Sequence, residues 1–154
     1  KLPVIRHAFL EAEKYYGHEF GILVDLDATS PLRSVEDIKN SYEQFNAEGA
    51  DILITGSPSR KNPYFNMIEI TDGRVCKVKE LQSPPTRRQD APEVYDMNAS
   101  IYIWKRKALL ECKTLFTDKT SLYVMPERRS IDVDTELDWE LVEFIIGRQV
   151  ATND

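Results

Sequence analysis

Residues 20–37 read Phe-Gly-Ile-Leu-Val-Asp-Leu-Asp-Ala-Thr-Ser-Pro-Leu-Arg-Ser-Val-Glu-Asp, and this stretch decides the fold. Phe20 to Val24 is an unbroken apolar run, the pattern of a strand buried on both faces. It closes on Asp25-Leu26-Asp27 and a turn through Thr29, Ser30, Pro31, Leu32 and Arg33. Ser34 and Asp37 have the spacing of a capping box, with Asp in place of the usual Glu or Gln. The helix they open runs to about Glu48 and stops at Gly49. Upstream, Ile5, Ala8, Phe9, Ala12 and Tyr16 recur at helical spacing, and Gly17 ends that helix. Downstream, Asp51 to Thr55 reads as the next strand. Helix, strand, helix, strand predicts parallel strands joined by crossover helices, an α/β fold. Ligands of such open sheets bind beyond the carboxyl ends of the strands. That places Asp27, Thr29, Ser30 and Arg33 in a candidate site.

Further along, Phe65 to Ile70 and Val75 to Val78 read as a hairpin about Asp72-Gly73. Residues 81–95 are proline-bearing and poor in aliphatics. A long irregular stretch in a compact domain is functional or disordered. Ile101 to Trp104 is a strand, Lys105 to Cys112 a short helix, and Leu122 to Met125 another strand. A last helix starts near Thr135 or Glu136. Leu137, Leu141, Phe144 and Ile145 form its apolar face, widened by Trp139, Val142 and Ile146.

The 154 residues make one domain, and a net charge of −6 argues against a nucleic-acid binder. No apolar run is long enough to span a bilayer, and no signal peptide opens the chain. The two cysteines, Cys76 and Cys112, lack zinc-ligand spacing and read as free thiols of a reducing, cytoplasmic compartment. Asn98-Ala99-Ser100 matches a glycosylation sequon, but it opens a strand-like run and is read as incidental. His7 and His18 have no partner at triad spacing. Lys1-Leu2-Pro3 runs straight into helix with no Met and no strand before it, so a longer parent protein is expected. A sheet that lost a strand there would expose an edge prone to aggregation or to pairing with another molecule.

Three segments carry candidate chemistry. In Ser130-Ile131-Asp132-Val133-Asp134-Thr135, extended backbone puts Asp132 and Asp134 on one face and Ile131 and Val133 on the other. Two neighbouring carboxylates suit Mg²⁺, which keeps other positions for water and phosphate. The alternative is a helix cap at Asp134 or Thr135 with Asp132 in solvent. The turn from Thr29 to Arg33 offers hydroxyls, amides and a guanidinium to phosphate or ribose, or is a plain turn before a helix. Arg88 has the planar fork that fits a carboxylate, with Gln89 and Asn98 able to read hydroxyl or amide groups on a sugar. The same stretch also reads as a solvated charged loop.

The order of these pieces is more specific than any one of them. "LDATSPLR", "NPYFNMIEI", "RRQDAPEVYDMNASIYIW", "LYVMP" and "SIDVDTELDWELVEFI" together resemble the acylneuraminate cytidylyltransferase family, over its C-terminal two-thirds. The resemblance implies a Rossmann-like nucleotidyltransferase, a three-layer sandwich with a mostly parallel sheet lacking its first strands. It also implies a β-hairpin extension, with residues 62–95 serving dimerisation and the sugar site. Such enzymes take CTP and a nonulosonic acid and release pyrophosphate, forming a CMP-sugar. Asp132 and Asp134 match the family's Mg²⁺-holding acids, and Arg88, Gln89 and Asn98 match positions around the acceptor sugar. Asp27 stands where relatives often carry Gln. The family's basic, glycine- or serine-containing loop around the CTP phosphates has no match here, so the chain by itself is expected to be inactive. Asp96-Met97 replaces a common Arg-Pro ahead of Asn98, which brings legionaminic-type acids into consideration beside N-acetylneuraminic acid. The implied assembly is a homodimer. The rival readings are a non-catalytic sugar-binding or dimerisation fragment, or a related enzyme for another nucleotide or sugar.

Overall fold

The computed structural model describes residues 2–151. It comprises two compact units, Lys1–Gly56 with Met97–Asp154, and Ser57–Asp96. In the first unit the order is α1 (Leu2–Tyr16), β1 (Ile22–Leu26), α2 (Val35–Ala47) and β2 (Ile52–Pro58), which runs into the second unit. After the second unit come β6 (Ile101–Lys105), α3 (Arg106–Glu111), β7 (Thr120–Val124) and α4 (Glu136–Ala151). The second unit holds β3 (Ile68–Thr71) and β4 (Arg74–Lys77), and β5 (Tyr95–Met97) leads out of it.

The sheet is mixed, which corrects the mostly parallel expectation. β6 pairs antiparallel with β1 (Val24 opposite Ile103) and antiparallel with β2 (Ile52 opposite Trp104). β7 pairs parallel with β2 (Ile54 opposite Leu122), and β5 also joins β2. Hence β1, β2 and β7 share one direction, as crossover helices demand. β6 re-enters between β1 and β2 running the other way, because the chain comes back to it from the same end at which β2 leaves.

Alternation along β2 and β6 builds a core on each face. Ile52, Ile54, Tyr102 and Trp104 pack with Phe9 of α1 and Leu109 of α3. Leu53, Ile101 and Ile103 pack with Phe45 of α2 and with Met125. Helices therefore cover both faces, and the central strands are buried on both sides. β1 is not: Val24 and Leu26 are exposed, because β1 lies at the end of the sheet. The continuous apolar run of β1 thus reads identically to a central strand but occupies an edge. α4 also departs from expectation. Val142 and Ile145 are buried against Leu32, Ile131 and Val133, while Leu137, Leu141 and Phe144 are exposed.

The capping box is present as spaced. Ser34 Oγ accepts the Asp37 N–H at 3.1 Å, and Asp37 Oδ2 accepts the Ser34 N–H at 2.9 Å. Ser34→Ala should therefore cost about 1 kcal/mol and lower the melting midpoint by about 2–4 °C, measured by thermal denaturation.

Candidate active site

Two strand ends and one strand start meet at one edge of the first unit, and they supply the candidate residues. β1 runs out into the Asp27–Arg33 turn, and β7 into a 3-10 turn, Glu127–Arg129, followed by residues 130–135. β6 begins there, after Asn98. Hydrogen bonds tie these segments together. Asp27 N–H donates to Ser100 O at 3.2 Å, and Val133 N–H donates to Thr29 O at 2.9 Å. The structure thus brings Asp27, Thr29, Ser30, Arg33, Asn98, Asp132 and Asp134 to the carboxyl ends of the co-directional strands, the ligand-binding edge of open α/β sheets.

These residues divide by what their polar atoms already do. Asn98 is 6% exposed. Its Oδ1 accepts from Thr55 Oγ1 at 2.7 Å and from Ser100 N–H at 3.2 Å, and its Nδ2 lies 3.4 Å from Met125 Sδ. Ser30 is buried, with Oγ 3.4 Å from Asn98 O. Arg33 Nη1 donates to Ser100 O at 2.7 Å and to Asp27 O at 3.0 Å. All three brace the turn from within, rather than presenting these atoms to a ligand. Buried polar groups are satisfied internally when no ligand is meant to reach them. The buried sequon serine, Ser100, agrees with reading Asn98-Ala99-Ser100 as no glycosylation site. Asp27 Oδ1 accepts from the Thr29 hydroxyl at 3.2 Å, shaping the exposed start of the turn.

Asp132 and Asp134 behave differently. Ile131 and Val133 pack against Leu32, Val142 and Ile145, so these two side chains share the inward face. The cap of α4 is Thr135 with Asp138: Asp138 Oδ2 accepts from Thr135 N–H at 2.8 Å and from its hydroxyl at 2.7 Å. These bonds hold the Asp138 carboxyl below its usual range. The cap leaves the Asp134 carboxylate, which is exposed, out of its hydrogen bonds. Asp132 is half-buried, and its Oδ1 is withdrawn from solvent with no hydrogen-bond partner among the described residues. An anionic oxygen so placed is costly unless a cation or water meets it. Among the described residues no cluster of three or more His, Cys, Asp or Glu could hold a metal. Two carboxylates nonetheless fit Mg²⁺, which takes its remaining ligands from water and phosphate.

In the second unit, Asp72 (φ 53°) and Gly73 (φ 73°) form the left-handed pair that a two-residue hairpin needs. Ile68, Ile70 and Val75 stand exposed on the hairpin. A cavity of about 470 Å³ in this unit is lined by Ser59, Asn62, Arg88, Gln89, Glu93 and Tyr95, among others. Asn62 organises it: its Nδ2 donates to Pro92 O at 2.9 Å, and its Oδ1 accepts the Tyr64 N–H at 2.9 Å. Arg88 Nη2 donates to Ser59 O at 3.0 Å. The Tyr95 hydroxyl donates to Glu93 at 2.9 Å, which pushes the phenol above its usual range. Arg88 and Gln89 thus share a concave wall with Asn62 and Tyr95, two residues of the quoted motifs that carried no assigned role.

Sequence reading also passed over Arg129. Arg129 Nε and Nη2 donate to Asp37 Oδ2 and Oδ1 at 2.7 and 2.8 Å, and Asp37 is fully buried. The Asp at the position where a capping box usually has Glu or Gln was the one available signal.

With this geometry in view, the relatives are informative. No protein-family model matches the sequence. The chain is 51% identical over 147 residues to CMP-N,N'-diacetyllegionaminic acid synthase of Campylobacter jejuni, covering 96% of the chain and 62% of that protein. It is 49% identical over 146 residues to post-translational flagellin modification protein B of Campylobacter coli, covering 95% and 61% respectively. It is 31% identical over 114 residues to an N-acylneuraminate cytidylyltransferase of Streptococcus agalactiae, covering 74% and 27%. The resemblance to acylneuraminate-type cytidylyltransferases read from the motifs therefore extends over most of the chain. Its nearer likeness among these three is to the legionaminic acid synthase and the flagellin modification protein. The chain spans about three fifths of the length of those two relatives. No described helix is long and apolar enough to cross a membrane.

Proposed function

We propose that this chain is the larger part of a cytidylyltransferase that joins CMP to a nonulosonic acid of the legionaminic type. The observation that carries the reading is the buried, unpartnered Oδ1 of Asp132 at the ligand-binding edge, beside an Asp134 that the helix cap leaves unused. The names and identities of the relatives support the same reaction class.

In the proposed reaction the anomeric hydroxyl oxygen of the sugar forms a bond to the α-phosphorus of CTP. The bond from that phosphorus to the bridging oxygen breaks, pyrophosphate departs with the electron pair, and the hydroxyl proton passes to solvent or base. Asp132 and Asp134 would hold Mg²⁺, which supplies charge neutralisation at the phosphates when bound. Thr29 and the backbone of its turn border the phosphate side. Arg88 and Gln89 line the cavity proposed for the acidic sugar, the guanidinium fork taking the carboxylate. The exposed apolar hairpin residues Ile68, Ile70 and Val75 are the proposed surface of a homodimer.

The test is pyrophosphate release by the full-length protein with CTP, Mg²⁺ and a panel of nonulosonic acids. Release should be fastest with N,N'-diacetyllegionaminic acid. Absence of release with every acid would overturn the reading, and a preference for N-acetylneuraminic acid would overturn its substrate assignment.

A further inference from the structure

We infer that the Asp37–Arg129 ion pair is a positioning device that holds the Asp132–Asp134 segment in register, an inference that rests on the metal-binding reading of those acids. Asp37 stands in the first turn of α2, just after the Thr29–Arg33 turn, and none of its surface is exposed. Its carboxylate accepts four donors: Ser34 N–H at 2.9 Å, Ser34 Oγ at 2.7 Å, Arg129 Nε at 2.7 Å and Arg129 Nη2 at 2.8 Å. The two guanidinium bonds are a bidentate fork, which fixes direction as well as distance.

Arg129 closes the 3-10 turn that leads into Ser130, and Asp132 follows within one further turn of chain. Residues 130–134 form no strand and no helix, so no ladder fixes their register. Three contacts do. Val133 N–H bonds Thr29 O, Ile131 and Val133 pack under α4, and Arg129 is forked onto Asp37. The first two lie at or beyond Ile131, and the third anchors the segment's entry. The first and third tie it to the turn after β1 and to the helix that turn opens, and the second ties it to α4 and to Leu32 of that turn. Without the fork, the entry would keep only bonds within its own turn, Ser130 Oγ to Pro126 O at 3.0 Å and Ser130 N–H to Glu127 O at 3.1 Å, and the Asp132 carboxylate could swing out of its half-buried position. Groups that orient metal ligands from behind typically change metal affinity by about 10–100-fold. Lys is no substitute here, because a point charge cannot engage both oxygens at once.

The test is made on the full-length protein with Arg129→Lys, Arg129→Met and Asp132→Asn. Amide hydrogen exchange reads the segment directly, and Mn²⁺ titration reads the acids. In Arg129→Lys the Val133 amide should lose protection by about tenfold, while Ile54 and Ile103 in the core change by less than about threefold. Mn²⁺ should bind about tenfold more weakly than to wild type. Arg129→Met leaves the buried Asp37 carboxylate without its partner and should lower protection in the core as well, so its readout is the Mn²⁺ titration, where binding should be weaker still. If in Arg129→Lys Val133 and the core amides lose protection together, or Val133 does not change, the pair merely stabilises the fold and the inference is overturned. If Asp132→Asn binds Mn²⁺ as wild type does, the metal reading beneath the inference fails instead, whatever the exchange data show.

Discussion

Asp132→Asn in the full-length protein should reduce CMP transfer by at least about 100-fold, the upper end of what even indirect partners of metal ligands contribute. Its thermal stability should stay unchanged or rise slightly. The two effects have one cause. Oδ1 of Asp132 is withdrawn from water and has no hydrogen-bond partner among the described residues, so the folded protein holds a partly desolvated charge there. An amide of the same shape removes that charge and with it one ligand of the proposed cation. Activity and stability moving in opposite senses is the pattern of a residue kept for function. Asp134→Ala should abolish transfer as well, with little effect on folding, since the cap of α4 depends on Thr135 and Asp138. The measurements are pyrophosphate release and a thermal melt on the same preparations. Full activity in either variant would remove the metal assignment.

Arg129→Met should lower the unfolding free energy by about 3–5 kcal/mol, the usual result of leaving a buried carboxylate without its partner. Asp37 is fully buried, whereas Arg129 is partly exposed, so the penalty falls on the acid left behind. Burial pushes the Asp37 carboxyl up, but Arg129 and the Ser34 donors outweigh it and hold the group below its ordinary value. A depressed folded-state pKa gives stability that is fully present above the unfolded carboxylate value and lost as pH falls through the folded one. The wild-type protein should therefore keep this contribution at pH 5 and lose it under more acid conditions. In Arg129→Met the shift should reverse, and unfolding should begin at higher pH. Urea denaturation of both proteins between pH 3 and pH 7 measures this. Equal acid limbs would mean that the pair adds nothing to stability.

The sequence was legible where local physics decides. The Ser34–Asp37 box, the Asp72-Gly73 turn and the inward packing of Ile131 and Val133 all stand as their spacing implies. It was less legible where the outcome depends on distant partners. β1 and β2 share a direction, as the helix between them requires. Nothing near either strand reveals that β6 lies between them in the opposite sense. The candidate residues at the turn were selected for their chemical type, and type alone does not say which polar atoms are already engaged. Asn98 and Arg33 are engaged inside, bound to groups up to 67 residues away in the chain. Asp132 is not, and only the fold discloses the difference. Arg129 looks like any surface arginine until Asp37 is placed against it.

The discontinuity of the sheet-bearing unit has an evolutionary corollary. Its chain departs after Gly56 and resumes at Met97, and the Asn98 N–H donates to Thr55 O at 3.3 Å, so departure and return are neighbours. A segment whose two ends already touch can be lengthened, shortened or exchanged with little disturbance of its host, since loop-closure entropy grows only logarithmically with length. The piece carrying Arg88 and Gln89 is thus a natural cassette. On the proposed function, acceptor preference could diversify by wholesale replacement of residues 57–96, while Asp132 and Asp134, the proposed cation ligands, stay under separate selection.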